Sequence, residues 1–238
     1  MFAIAICGVC AFVDMYCTQP LLPLFVQIFH ASKAAAGLTV SASTLGVAVA
    51  APFVGSYAER YNRKKIIVGS ILALTVPTLL AATSHSLPEL VFWRFLQGVL
   101  MPGIFATAIA YITEEWAETT VAMVMAIYVS GTVLGGFSGR FVAGMIADRY
   151  GWQWAFVVLG AINVAGGLLV AACLPHARHG GRVKGQASGV APAEHHLLRM
   201  LRHWRNPDLL VTFGIGFNIL FALVATFTYV TFHLAAQP

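Results

Sequence analysis

The chain has 238 residues, of which 59% are hydrophobic and only 10% charged, with a formal net charge of +5 and a mean hydropathy of +0.80. A water-soluble domain usually carries about 25% charged residues, so a chain this apolar has lipid as its natural solvent. The basic residues cluster between long apolar runs, which fits the positive-inside bias of membrane proteins and excludes a nucleic-acid surface.

A spanning helix needs about 20 mostly apolar residues, and seven segments qualify: 2–29, 37–58, 66–83, 87–112, 121–146, 154–174 and 209–234. The first lacks a basic leading stretch and is too long for a signal peptide, so it is expected to stay in the protein. It holds Cys7, Cys10 and Cys17, with Cys173 far downstream. On an apolar helix Cys7-x-x-Cys10 reads as small packing residues more readily than as a redox motif. Asp14 sits deep in the same run, followed by Pro20 and Pro23.

The second run ends in Gly55-Ser-Tyr-Ala-Glu59-Arg60-Tyr61-Asn62-Arg63-Lys64-Lys65. Gly55 permits close helix approach. Glu59 can cap the next helix or pair with a base. Arg60, Arg63, Lys64 and Lys65 suit anionic headgroups, and Asn62 suits a tight left-handed turn. An ordinary basic loop is the plainer alternative.

The fourth run contains Arg94-Phe-Leu-Gln97-Gly98. A cation inside a span costs about 2.5–3.5 kcal/mol on insertion scales, which marks Arg94 as a functional candidate unless it snorkels to the helix end. At about 1.5 Å per residue, Asp14 lies about 18 Å into the first span and Arg94 about 9 Å in from the opposite face. In a core of about 30 Å the two fall at similar depth. They are expected to face a common aqueous cavity, where burial and a neighbouring cation push a carboxyl's proton affinity in opposite directions. A structural hydrogen bond near the Pro20/Pro23 break is the alternative for Asp14. Glu114, Glu115 and Glu118 follow the fourth run.

In the fifth run Gly131, Gly135 and Gly139 recur four residues apart and make one smooth face for close helix contact, with Gly136 and Arg140 beside it. Gly144-x-x-x-Asp148-Arg149-Tyr150-Gly151 repeats the Gly55-x-x-x-Glu59-Arg60-Tyr61 pattern three spans later, and so on the opposite membrane side. That is the mark of inverted three-helix repeats.

Residues 175–206 are the long polar stretch. Gly180, Gly181, Gly185 and Gly189 loosen its first part. Leu197, Leu198, Leu201 and Trp204, alternating with Arg199, Arg202 and Arg205, suit either an amphipathic helix on the inner membrane surface or a solvated linker helix. Its histidines have no metal-ligand spacing. With the basic loops inside, the N-terminus is cytoplasmic. The organisation expected is a six-helix domain over 1–174, a cytoplasmic linker over 175–206, and a seventh spanning helix over 207–238.

The Gly55–Lys65 loop resembles the major facilitator superfamily pattern between helices 2 and 3, with Glu59 for the usual aspartate and Asn62 for the second glycine. Arg94-x-x-Gln97-Gly98 resembles the family's helix 4 motif, and Gly131-x-x-x-Gly135-Gly136-x-x-Gly139-Arg140 resembles its antiporter motif, with Gly136 replacing proline and Arg140 the last glycine. Glycine packing alone also explains that spacing. Tyr16-Cys17-x-Gln19-Pro20 and Tyr128-x-Ser130-Gly131 resemble a bacterial inner-membrane subgroup labelled as arabinose-efflux or multidrug-type permeases.

The resemblance implies an all-α transporter bundle of inverted repeats plus a seventh helix. It implies a conformational latch in Gly55, Glu59, Arg60, Arg63 and Lys64, linked to Glu114 or Glu115. It implies proton coupling through Arg94 and Gln97, to which the depth argument adds Asp14 as the responsive carboxylate. Met15, Tyr16, Gln19, Phe105 and Arg140 are candidate cavity residues by depth. The expected activity is proton-coupled efflux of small drug- or sugar-like solutes across the bacterial inner membrane, with no cofactor, no resident metal and no enzyme chemistry. No Walker A, H-E-x-x-H or nucleophile-elbow motif appears. The expected partners are a small-molecule substrate, protons and membrane lipids, and a missing C-terminal half is expected to be required. An uncoupled facilitator or importer of the same fold, and a membrane scaffold, are the alternatives.

Overall fold

A computed structural model of the chain describes residues 1–58, 62–175 and 207–235, and among these it is helical throughout, with no strands. Two compact units form, Met1–Gly181 and Arg182–Pro238. The first contains α1 (Phe2–Val13), a 3-10 turn (Gln19–Leu21), α2 (Leu22–Ile28), α3 (Lys33–Ala58), α4 (Arg63–Ala82), α5 (Leu87–Leu100), α6 (Pro102–Glu115), α7 (Glu118–Tyr150) and α8 (Trp152–Cys173). The described part of the second is one apolar helix of 29 residues, α9 (Pro207–Ala235). The expected linker helix lies outside the described residues.

Six helical stretches among the described residues are long and apolar enough to cross a membrane: five in the first unit, with α5 and α6 counted as one, and α9. The segment 2–29, expected as a seventh continuous span, instead folds as two shorter apolar helices. Its turn covers residues 14–18. Pro20 and Pro23 explain part of this break, because neither supplies an N–H to the carbonyl four residues earlier.

The first unit buries a set of polar side chains within an otherwise apolar interior, and its outside is apolar too. Asp14, Gln19, Thr39, Ser43, Thr78, Arg94, Gln97 and Asn163 are buried, while Leu38, Leu45, Phe53, Val133, Phe137 and Phe141 are exposed. A water-soluble protein has instead a largely polar, charged exterior. Here the outer face matches lipid, and the interior collects the polar groups that lipid rejects.

Three helix pairs pack most extensively: α1 with α7, α3 with α5, and α4 with α8. Their pattern follows from the repeat. Exchanging spans 1–3 with spans 4–6 converts the α1–α7 pair into the α5–α3 pair and returns α4–α8 to itself. The first span of each repeat is also interrupted, at residues 14–18 and at Met101–Pro102.

Glycine sets the approach distance in the first two pairs. A Cβ at Gly131, Gly135 or Gly139 would fall on the backbone carbonyl of Ala5, Val9 or Val13, respectively. One at Gly8 would lie 2.9 Å from the Thr132 amide nitrogen. Across the other pair, Gly46 and Gly98 would meet the carbonyls of Phe95 and Ser43. The backbones therefore touch, as small residues permit in membrane interfaces. Gly151, between α7 and α8, has φ +96°, a conformation that glycine adopts without strain.

The Gly55–Lys65 loop is described only in part. Gly55 belongs to α3, while Glu59 and Arg60 lie outside the described residues. Asn62 does not take the expected left-handed turn. It is extended, at φ −62° and ψ 118°, and its side chain accepts the Lys64 N–H at 3.0 Å. It is the N-cap of α4, where asparagine meets a free helix donor.

These contacts predict an inversion of ordinary helix propensity. Gly131→Ala, Gly135→Ala and Gly139→Ala should each destabilise the protein by about 1–3 kcal/mol through overpacking. Gly136→Ala should be neutral or stabilising, since its Cβ would meet Arg140 Nη1 at an ordinary 3.5 Å. Equilibrium unfolding in mixed detergent and SDS micelles checks this. Equal responses at Gly136 and Gly139 would rule out the close-approach account.

Candidate functional site

Arg94 lies in the middle of the first unit with no solvent exposure. Its guanidinium carries five N–H donors and no acceptor, and five oxygens receive them. Nε donates to the Thr39 carbonyl at 3.0 Å. Nη1 donates to the Asp14 carbonyl at 2.8 Å and to Gln97 Oε1 at 2.5 Å. Nη2 donates to the Met15 carbonyl at 2.7 Å and to Ser43 Oγ at 3.1 Å. Cys17 Sγ lies 3.7 Å from Nη1.

The Asp14 and Met15 acceptors explain the rest of the break in the first span. Carbonyls at a helix C-terminus lack intrahelical partners, and within a bilayer no water replaces them. Arg94 supplies those partners. It is a side-chain cap delivered from α5 to the end of α1, and it holds α3 through Thr39 and Ser43.

The expected meeting of Asp14 and Arg94 takes a different form from the one foreseen. The guanidinium bonds the backbone carbonyl of Asp14, while the carboxylate turns toward α8. There Asp14 Oδ2 accepts from Asn163 Nδ2 at 2.5 Å. Both Asp14 and Arg94 are fully buried, so in this conformation they do not line an open aqueous cavity. Gln97 extends the network: its Nε2 donates to Thr78 Oγ1 at 2.7 Å, and Thr78 donates to the Leu74 carbonyl at 2.8 Å. Five spans thus meet through one set of polar contacts.

Of the candidate cavity residues, Tyr16, Gln19 and Arg140 come together. Arg140 Nε donates to Gln19 Oε1 at 2.6 Å and Nη1 to the Gly136 carbonyl at 2.8 Å. Its guanidinium carbon sits 4.6 Å from the centre of the Tyr16 ring, a cation–π contact. Phe105 packs its ring 6.4 Å from that of Phe12. Met15 is buried and contributes its carbonyl to Arg94.

At one end of the unit Arg63 grips Glu114 with two hydrogen bonds, Nη2 to Oε1 at 2.6 Å and Nε to Oε2 at 3.2 Å. Glu114 is the more exposed partner, at 33% of its side-chain surface. The fork geometry gives this pair direction, and its exposure keeps it weak. Lys64 enters through its backbone N–H, and Glu115 is half-buried beside Glu114.

Asn163, Thr78, Ser43 and the Thr39 carbonyl are absent from the sequence-based site. A signal existed for Asn163: it is a lone amide in the apolar run 154–174, and polar side chains in spans usually bond across helices. Thr39 acts through its backbone, which leaves no trace in residue type.

Residues 4–237 match the sequence profile of the Major Facilitator Superfamily. The chain is 29% identical to the inner membrane transport protein YnfM of Escherichia coli (strain K12), covering 97% of this chain and 54% of that protein. It is 27% identical to the multidrug resistance protein B homolog of Mycobacterium tuberculosis (strain ATCC 25618 / H37Rv), over 72% of this chain and 32% of that protein. A bacterial homologue of the human lysosomal transporter Spinster, in an inward-facing and unoccupied conformation, superposes with a TM-score of 0.66 at 19% identity. That likeness covers 81% of this chain and 45% of the other. The chain spans about half the length of the curated relatives it matches first.

The network makes Arg94 hard to replace even by lysine. Lysine keeps the charge but offers three donors to five acceptors, and each buried oxygen left unpaired costs about 1–3 kcal/mol. Arg94→Lys should therefore lose about 2–5 kcal/mol of stability, against less than about 1 kcal/mol for Arg63→Lys at the partly exposed pair. Unfolding titrations of both variants under one condition decide this. Similar losses at the two positions would contradict the hub.

Proposed function

The chain belongs to the major facilitator superfamily, and we propose that it forms the N-terminal bundle of a proton-coupled exporter of small organic solutes. It is a multi-pass membrane protein. Transport by the whole protein, its coupling and its direction are the proposal, and one observation carries the coupling. Asp14 is a fully buried carboxyl that makes no ion pair with the adjacent Arg94 and is held by the neutral amide of Asn163. A carboxyl so placed changes its charge cheaply when water reaches it and expensively when water does not. Alternating exposure would then load and unload a proton, with Arg94 and Gln97 setting its surroundings.

Efflux is supported by the likeness to a multidrug resistance homologue. In this reading Tyr16, Gln19 and Arg140 present the substrate-facing polar surface, with Met15 and Phe105 near it. Gly131, Gly135 and Gly139 keep α1 and α7 moving as one body, while Gly136 leaves room beside Arg140. Arg63 and Glu114, with Lys64 and Glu115 adjoining them in sequence, form the latch, and the loop residues Gly55, Glu59 and Arg60 join it by the sequence pattern alone. A partly exposed ion pair worth about 0–1 kcal/mol suits a latch that must open in every cycle. The basic residues Arg63, Lys64 and Lys65 support the reading that this end, and with it the N-terminus, faces the cytoplasm of a bacterial cell. The cycle requires a second bundle facing this one, and lipids around both.

Flux into inside-out vesicles containing the full-length protein tests the proposal, with ethidium and arabinose as probes. An imposed inward proton gradient, in the sense of the cell, should accelerate transport of at least one probe. Asp14→Asn should abolish that acceleration while leaving gradient-independent exchange. Full gradient-driven transport by Asp14→Asn would refute the assignment, and equal flux with and without a gradient in the parent protein would favour the uncoupled facilitator.

A further inference from the structure

The buried end of the site holds an arrangement that the reading of Asp14 as the proton-responsive group, on which this inference rests, does not by itself require. Asp14 Oδ1 and Asn163 Oδ1 are both buried without a hydrogen-bond partner among the described residues. They belong to the two side chains already joined by the 2.5 Å bond from Asn163 Nδ2 to Asp14 Oδ2. Each orphan is an acceptor when the carboxyl is ionised, so neither can satisfy the other. Unpaired buried acceptors are rare and costly.

One proton resolves both. A carboxylic acid and a primary amide each present one donor and one acceptor on a single edge. A hydrogen on Asp14 Oδ1 would let that O–H donate to Asn163 Oδ1 once the two edges lie face to face, while Asn163 Nδ2 still donates to Asp14 Oδ2. Such a pair would carry two hydrogen bonds and no charge, and would leave neither Oδ1 orphaned.

Among the described residues the carboxylate receives a hydrogen bond from Asn163 and a through-space attraction from Arg94. Arg94, from α5, is the charged side chain facing Asp14, and its five donors go to Thr39, Asp14, Met15, Ser43 and Gln97 without reaching the carboxylate. Cys10 and Cys17, from the same segment as Asp14, bring thiols. Asn163, from α8, brings only its amide. Arg140, from α7, is turned to Gln19, Tyr16 and Gly136.

We infer that Asn163 is a positioning residue that holds Asp14 in its protonated form as a closed acid–amide pair while the site is buried. Entry of water opens the pair. The acid O–H then breaks, the proton passes to water, and the carboxylate keeps the Asn163 N–H.

Infrared difference spectroscopy of the chain in lipid nanodiscs, titrated with pH, reads this directly. The parent protein should show the carbonyl stretch of a strongly hydrogen-bonded carboxylic acid, and Asp14→Asn should remove it. Asn163→Leu should move the band to higher frequency, as for an acid without a partner. The exchange variant Asp14→Asn/Asn163→Asp keeps the same two groups in reversed positions and should restore the low-frequency band even if Asn163→Leu fails to fold. An absent Asp14 band in the folded parent, a band unmoved by Asn163→Leu, or no band in the folded exchange variant would each overturn the pair. The transport reading fails separately: an Asp14 band that behaves as described, with flux indifferent to a pH gradient, leaves the pair standing and removes the coupling.

Discussion

A single guanidinium whose five donors all find oxygen organises the interior of this bundle. Arg94 is a buried cation in a lipid-facing protein, a costly object on any transfer scale. Its charge is spread over two carbonyls at the end of α1, one carbonyl and one hydroxyl of α3, and an amide of its own helix. No carboxylate takes part. The interaction therefore does two jobs: it stabilises the cation, and it closes the break in the first span.

The glycine contacts make that arrangement possible. Gly98 lies one turn after Arg94 and would drive a Cβ into the Ser43 carbonyl. The α3 and α5 backbones approach closely enough for Arg94 to reach both Thr39 and Ser43. The α1–α7 pair repeats this solution with Gly131, Gly135 and Gly139, as the inverted repeat requires. A rigid interior follows, with its weak ion pair, Arg63 with Glu114, at the periphery.

Much of the fold was legible because a bilayer acts on composition. Long apolar runs, sparse charge and a repeated loop pattern gave a helical membrane bundle of inverted repeats. The break in the first span was less legible. Pro20 and Pro23 mark its far side, but the turn at 14–18 depends on acceptors captured by a residue eighty positions away. Depth arithmetic put Asp14 and Arg94 at one level, yet depth cannot tell a carboxylate from a backbone carbonyl. Asn62 was read for its tolerance of left-handed backbone, whereas the start of α4 required a cap. Asn163 was overlooked because an amide carries no charge, although in lipid an amide needs a partner too.

The position of the hub in the chain also bears on how the protein is made. Synthesis runs from the N-terminus, so α1 and α3 are in place before the fourth span leaves the ribosome. The carbonyls of Thr39, Asp14 and Met15 all precede Arg94 in the chain, so the arginine that is hardest to leave in lipid arrives after its acceptors. The carboxyl of Asp14 faces the reverse order, since Asn163 emerges on the last span of the bundle. In chain order, then, the cation follows its acceptors, while the acid precedes its amide by nearly the length of the bundle.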